Sequence, residues 1–372
     1  MKLNSRFDSA RLLRIGMTLL LAWAAALVFA RWHVPIPWMI GPLVATAFAS
    51  MAALPTTSSS TFRNAGQWTI GVALGLYFTP EVTELMLSLW WAVALAVVWT
   101  LGLGMVFGVW LHRVHSHRMP QVPPASMRAT SYFASAIGGA SEMTLLSERA
   151  GARVDLVAAA HSVRMAVVVL MVPFAMQWAK QHFNLTALDM TPTASRVAEW
   201  PGILWLVLAT GAGAWLMRLA GRPNPWFLGP LLAAMLLTMS DVHLSAVPVW
   251  LANGAQLVIG ISLGVRFSRE FLHAAPRWLL SAAVGAVVMI VLSGVFAWAL
   301  AKLTGVHPVT LMLATAPGGI AEMAITAKVL QLGVPVVTAF QVCRLVAVLV
   351  LAEPLYRRWE AGSSVARTGA KN

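Results

Sequence analysis

The chain has 372 residues, of which 59% are hydrophobic and only 10% charged, with a mean hydropathy of +0.75. These values exclude both an ordinary soluble domain and a disordered chain, and they describe an all-α polytopic membrane protein. The net charge of +13 comes from bases scattered among short links between apolar segments. They form no continuous arm for nucleic acid, and the positive-inside bias accounts for them. The single Cys343 permits no intramolecular disulfide and no cysteine-based metal cluster.

Lys2, Arg6, Arg11 and Arg14 surround the start of the apolar run 12–30, which reads as a cytoplasmic N-terminus feeding a first span. Val28-Phe29-Ala30 resembles a signal-peptidase site. An equivalent helix at 203–217 opens the second half, so the first span is expected to be retained. Pro37-Trp38-Met39-Ile40-Gly41-Pro42-Leu43 follows, and it returns 188 residues later as Pro225-Trp226-Phe227-Leu228-Gly229-Pro230-Leu231. Each copy opens a short hydrophobic segment, to about 54 and about 239, in which a packing kink is expected ahead of substrate contact.

A third block repeats at an offset of 189: Gln67, Ile70, Gly71, Leu74 and Gly75 match Gln256, Ile259, Gly260, Leu263 and Gly264. The two Gly-x-x-x-Gly ridges read as helix-packing surfaces, and the two glutamines as weaker candidates for lining a pathway. Residues 85–111 and 278–303 read as long spans. The link at 112–128 holds His112, His115 and His117. Clustered imidazoles can bind zinc or copper, but arginines lie among them, so a solvated loop is expected.

The centre of each half is a Gly-Gly segment within about 129–150 and 309–330. Ile137-Gly138-Gly139-Ala140-Ser141-Glu142-Met143 is echoed by Pro317-Gly318-Gly319-Ile320-Ala321-Glu322-Met323. The copies differ at Ser141 and Ala321. Each glutamate precedes an arginine, Arg164 or Arg344, by 22 residues, in a last span that also carries His161 or Gln341. Glycine pairs interrupt helices, and charged residues at membrane depth are rare unless they serve a function.

Loop charge orients the halves. With the N-terminus inside, the link bearing Glu81 and Glu84 lies outside, whereas its counterpart holds Arg266, Arg269 and Arg277, which belong inside. Basic 112–128 is cytoplasmic, and its counterpart near Lys302 and His307 carries less charge. This reversal predicts two inverted repeats of about five spans each, with each Gly-Gly segment a re-entrant hairpin or a broken helix. The expected divisions are a first repeat at 1–180, a polar linker at 181–200, a second repeat at 201–356 and a cytoplasmic tail at 357–372.

Non-helical backbone at membrane depth requires burial in protein or a cavity, so the breaks point to a site. Amides freed at a half-helix N-terminus suit an anion, and freed carbonyls suit a cation. Gly138, Gly139, Ser141, Glu142, Arg164, Gly318, Gly319, Glu322, Gln341 and Arg344 are the candidate substrate or ion residues. Glu142 and Glu322 suit proton or sodium binding. Arg164 and Arg344 either neutralise these glutamates or hold an anionic substrate through the guanidinium fork.

The repeated Pro-Trp-x-x-Gly-Pro-Leu, Ile-Gly-x-x-Leu-Gly and Gly-Gly-x-x-Glu-Met set resembles the AbrB family of bacterial inner-membrane proteins, which this duplication defines. The resemblance spans nearly the whole chain and implies a multi-pass inner-membrane protein; the loop-charge count places both termini in the cytoplasm. Members are labelled either ammonia monooxygenase or AbrB-type regulator of gene expression. The family is also similar, at fold level, to cation/proton antiporters and anion transporters built from inverted five-helix repeats. This transfers architecture and not mechanism.

Three functions are weighed on these grounds. The first is a secondary transporter of a small polar or anionic solute driven by protons or sodium, with the bilayer and that solute as partners and homo-oligomerisation left open. The second is an indirect role in gene expression, because no DNA-reading helix is visible. The third, a monooxygenase, lacks a plausible copper or iron ligand set. No enzyme activity, nucleic-acid partner, metal or other cofactor is expected beyond a coupling Na+ or H+.

Overall fold

The computed structural model describes residues 9–182, 198–222, 224–242, 244–269 and 275–369. Among these, every regular element is an α-helix. The first half supplies α1 (Ser9–Arg31), α2 (Pro37–Met51), α3 (Ser60–Gly75), α4 (Pro80–Ser88), α5 (Trp90–His115), α6 (Pro124–Ser135), α7 (Ala140–Arg149) and α8 (Val154–His182). The second supplies α9 (Trp200–Leu219), α10 (Pro225–Met239), α11 (Val249–Gly264), α12 (Pro276–Thr304), α13 (Pro308–Thr315), α14 (Ile320–Leu330) and α15 (Val334–Gly369).

Six helices (α1, α5, α8, α9, α12 and α15) are long and apolar enough to cross a bilayer, and α3 with α4 makes a seventh if that pair, bent by 85°, is counted as one span. The expected count of about ten is not reached by this measure. The reason is length: α2, α10 and α11 have only 15 or 16 residues, which at 1.5 Å per residue rise about 22–24 Å. The run at 85–111 also proves to be two helices, because the chain turns between Ser88 and Trp90. Most of the 181–200 linker lies outside the described residues. The segment beyond 357 begins as a continuation of α15, where Arg357 pairs with Glu353 one turn earlier at 2.5 Å.

The chain forms two compact units that cut across the sequence halves. One holds Met1–Ser88, Val169–Ala274 and Ala321–Val336; the other holds Leu89–Val168, Ala275–Ile320 and Val337–Asn372. Each therefore takes elements from both copies.

In the first unit the repeated motifs pack reciprocally. A Cβ added at Gly71 on α3 would stand 2.5 Å from the Phe227 carbonyl oxygen on α10, and one added at Gly260 on α11 would stand 2.5 Å from that of Met39 on α2. The same holds one turn on, for Gly75 against Leu231 and Gly264 against Leu43. Each Gly-x-x-x-Gly ridge thus admits the Pro-Trp helix of the other copy at backbone contact. Gly41 and Gly229 do the same for the crossings of α2 on α1 and of α10 on α9.

Even the turns repeat. Ile36 and Asn224, each just before a Pro-Trp helix, both adopt the left-handed conformation, at φ 50° and 48°. A β-branched residue is strained there, and Ile36 is held by its complete burial. Pro42 and Pro230 are carried inside helices that continue through them.

This packing yields a paired test. Gly260→Ala should lower the thermal unfolding midpoint of purified protein, with the overpacking costing about 1–3 kcal/mol. Gly254→Ala lies on the same helix with nothing within 4 Å, and should be neutral or gain up to about 1 kcal/mol of helix propensity. Equal behaviour of the two variants would contradict reciprocal packing at Gly260.

Candidate functional site

Both Gly-Gly segments break the helix for four residues, Ala136 to Gly139 between α6 and α7, and Ala316 to Gly319 between α13 and α14. A break leaves carbonyls at the end of the first helix and amides at the start of the second. Apolar packing surrounds the first break, where Ile137 joins Leu103 and Met289 in a core closed by Trp99 and Phe107. Gly108 on α5 makes room for it, and Gly104 lies in ordinary contact with it. A Cβ at Gly108 would lie 2.7 Å from the Ser135 hydroxyl, and one at Gly104 would lie 3.6 Å from Ala136 Cα.

The two arginines serve the carbonyl ends. Arg164 donates through Nη1 to the carbonyls of Ser135 (3.3 Å) and Ala136 (3.0 Å). Arg344 donates to those of Ala316 and Gly318, both at 2.6 Å. They are 4% and 5% exposed, and among the described residues neither forms an ion pair. The expected choice between neutralising a glutamate and gripping a substrate therefore has a third answer: each guanidinium caps a helix C-terminus, where positive charge is favoured.

A neighbour completes each cap. Arg164 Nη2 lies 2.8 Å from His161 Nδ1, and since guanidinium only donates, Nδ1 accepts. The imidazole proton then sits on Nε2 and is donated to the Phe133 carbonyl at 2.9 Å, which fixes His161 as neutral. At the matching place Gln341 Nε2 donates to the carbonyls of Leu313 (2.8 Å) and Ala316 (3.3 Å). The sequence places His161 beside Arg164, but it is not among the candidate substrate or ion residues. Its signals were its position three residues before Arg164 and its equivalence to Gln341.

The glutamates serve the amide ends. Glu142 lies in the first turn of α7, and its carboxylate accepts from its own backbone N–H. It folds back over Gly139, where a Cβ would overlap Oε2, so a side chain there would displace the carboxylate. Glu322 sits in the first turn of α14, accepts from its own N–H and is 6% exposed. Each carboxylate thereby complements the positive end of its helix. The sites are unequal, because in the first unit Arg266 acts electrostatically on Glu322 and is itself repelled by Arg63.

The backbone of Ser141 lies in α7, and its side chain is outside the described ones. Beside the first break, Ala136, Ile137, Thr100, Tyr132, Gly104 and Val348 line a narrow cleft, and Tyr132 donates to the Ala352 carbonyl at 2.8 Å. Gln256 is buried within α11.

The histidine cluster does not stay together. His115 is fully buried at the end of α5, 2.9 Å from the Ser281 hydroxyl and edge-on to Trp278, while His117 is exposed. The solvated-loop expectation fails for His115 because α5 runs one turn further than the apolar run. Among the described residues no three metal-ligating side chains converge.

Long apolar helices in two copies, with two broken helices whose ends carry buried charges, define a duplicated multi-pass helical membrane protein. The family it belongs to is AbrB: the pattern described as "Transition state regulatory protein AbrB" matches residues 38–360. The chain is 27% identical over 344 residues to the uncharacterised protein YhjN of Bacillus subtilis (strain 168), covering 87% of each. It is also 24% identical over 351 residues to an Escherichia coli (strain K12) protein whose name proposes a regulator, AbrB, covering 93% of this chain and 96% of the relative.

The equivalence of His161 and Gln341 can be tested. His161→Gln should keep the near-native unfolding midpoint, because an amide can donate to Phe133 and accept from Arg164. His161→Leu leaves a buried carbonyl and an N–H unpaired, and should cost about 1–3 kcal/mol for each. Equal midpoints for the two variants would contradict the assigned hydrogen bonds.

Proposed function

We propose that the protein is a secondary transporter that moves a small polar or anionic solute, coupled to a proton or sodium gradient, with the two helix breaks as its working site. The observation that carries this reading is the pair of breaks at corresponding places in two copies, held by buried charged groups and not closed by helical hydrogen bonds. A purely structural bundle gains nothing from breaking two helices and then burying two guanidiniums to repair them. Discontinuous helices at matching positions of two repeats are the usual framework of substrate and coupling-ion sites.

Within this reading the repeats are inverted, each Gly-Gly segment is a re-entrant hairpin or a broken span, and the termini face the cytoplasm of a bacterial inner membrane. The reversal of loop charge between the halves supports that orientation. Glu142 and Glu322 are the coupling groups. Each holds the positive end of a helix, so taking up a proton or sodium ion there changes what that end can attract. Gene regulation, which the names of the family and of one relative invoke, enters as an indirect effect of the solute moved. Monooxygenase chemistry has no observation in its favour.

The reading is tested by reconstitution into proteoliposomes. Glu142→Gln and Glu322→Gln should each abolish gradient-dependent uptake while the purified variants keep their helical content and monodispersity. Unchanged uptake in both would overturn the coupling role. A transcriptional phenotype that persists in both variants would favour the regulatory reading.

A further inference from the structure

We infer that Arg164 and Arg344 together form one anion-binding centre inside the second unit, suited to an oxyanion such as a small carboxylate or phosphate. Both guanidiniums belong to that unit and both are at least nine-tenths buried, and both approach the first break: Arg164 holds the Ala136 carbonyl there, while Val348, one turn beyond Arg344 on α15, would stand 3.0 Å from a Cβ at Gly138. Among the described residues no carboxylate pairs with either. Glu142, the acid of the nearest break in this unit, is turned to its own helix N-terminus. Two like charges are thus held in the interior, each facing only the partial negative charge of a helix end, which is equivalent to roughly half a charge.

The donor inventory points the same way. A guanidinium offers five N–H donors. Arg164 makes three hydrogen bonds, to Ser135, Ala136 and His161, and Arg344 makes two, to Ala316 and Gly318. The Nε of each is buried and unpartnered. An unmet N–H on a buried cation is costly, and a buried cationic pair without a counter-charge is costlier still. An oxyanion meets both needs at once, since its oxygens accept from Nε–H and its charge balances the pair, as carboxylate and phosphate do with guanidinium elsewhere. A cation is excluded by the same charges.

The geometry also separates two duties within each side chain. The Nη groups fix the break by holding its carbonyls, and the Nε edge remains for the ligand. Anion binding would therefore be felt directly by the backbone of both breaks. As a substrate site this centre rests on the transport reading above; as a binding centre it does not.

The test is equilibrium binding with no gradient imposed. Full-length protein in nanodiscs would be followed by tryptophan fluorescence during thermal unfolding in sodium acetate, succinate, phosphate or sulfate, against chloride at matched ionic strength. At least one oxyanion should raise the wild-type midpoint, as ligands of the native state do. Arg164→Lys and Arg344→Lys keep the charge but lose the Nε–H, and should weaken that affinity about tenfold or more. Because either lysine variant could fail to fold, the Nε resonances of isotopically labelled arginine in the unmutated protein give a second readout, and two of them should shift on titration with the stabilising anion.

No stabilisation by any of the four oxyanions would overturn the centre. Equal stabilisation of wild type and folded lysine variants, or no shift of any buried Nε resonance, would do so as well. Arginine-dependent binding without uptake of the same anion would retain the centre and remove the transport reading. Uptake without such binding would do the reverse.

Discussion

The structure depends on how two interrupted helices are made tolerable inside an apolar body. Interrupting a helix frees a negative end and a positive end, and neither can be left bare away from water. Here each end meets a full charge of the opposite sign. Guanidinium from α8 or α15 caps the carbonyls, and carboxylate from the first turn of α7 or α14 caps the amides. Several of the freed carbonyls are thereby hydrogen-bonded, and the broken helices remain charged in a way that unbroken helices would not be.

That constraint explains several otherwise unrelated choices. Gly139 leaves the space over which the Glu142 carboxylate folds. His161 is locked as a neutral tautomer because one ring nitrogen must accept from Arg164 while the other donates to Phe133. Gly108 thins α5 where α6 ends, and the apolar group of Leu103, Ile137 and Met289 seals the first break. The second copy solves the same problem with different atoms, since Gln341 and Arg344 divide three carbonyls between them without a mutual bond. The two breaks are alike in plan and unequal in chemistry.

Much of this was legible in the residues. The Pro-Trp motif located the N-termini of α2 and α10, and the Gly-x-x-x-Gly blocks proved to be packing ridges as their spacing implied. The Gly-Gly pairs located both breaks. The constant 22 residues from glutamate to arginine showed that each pair is equivalent between copies, but spacing cannot reveal partners. A guanidinium on the next helix can reach a carboxylate or a carbonyl, and which it meets depends on how the break turns. His115 was misread because a polar residue at the end of an apolar run looks solvated until Trp278 and Ser281 are brought against it. Gly104 and Gly108 had no matched echo to draw attention to them. The two compact units could not be seen either, since each is assembled from non-adjacent pieces of both copies.

The central claim is that the buried arginines make the two breaks a single responsive centre, and amide hydrogen exchange reads it most directly. Exchange would be followed in peptides covering 136–142 and 316–322, with and without the oxyanion that most stabilises the protein. The account predicts that both segments become more protected together, while the ridge helices α3 and α11 do not change. Protection confined to one break, or spread evenly over the ridges and breaks alike, would contradict it.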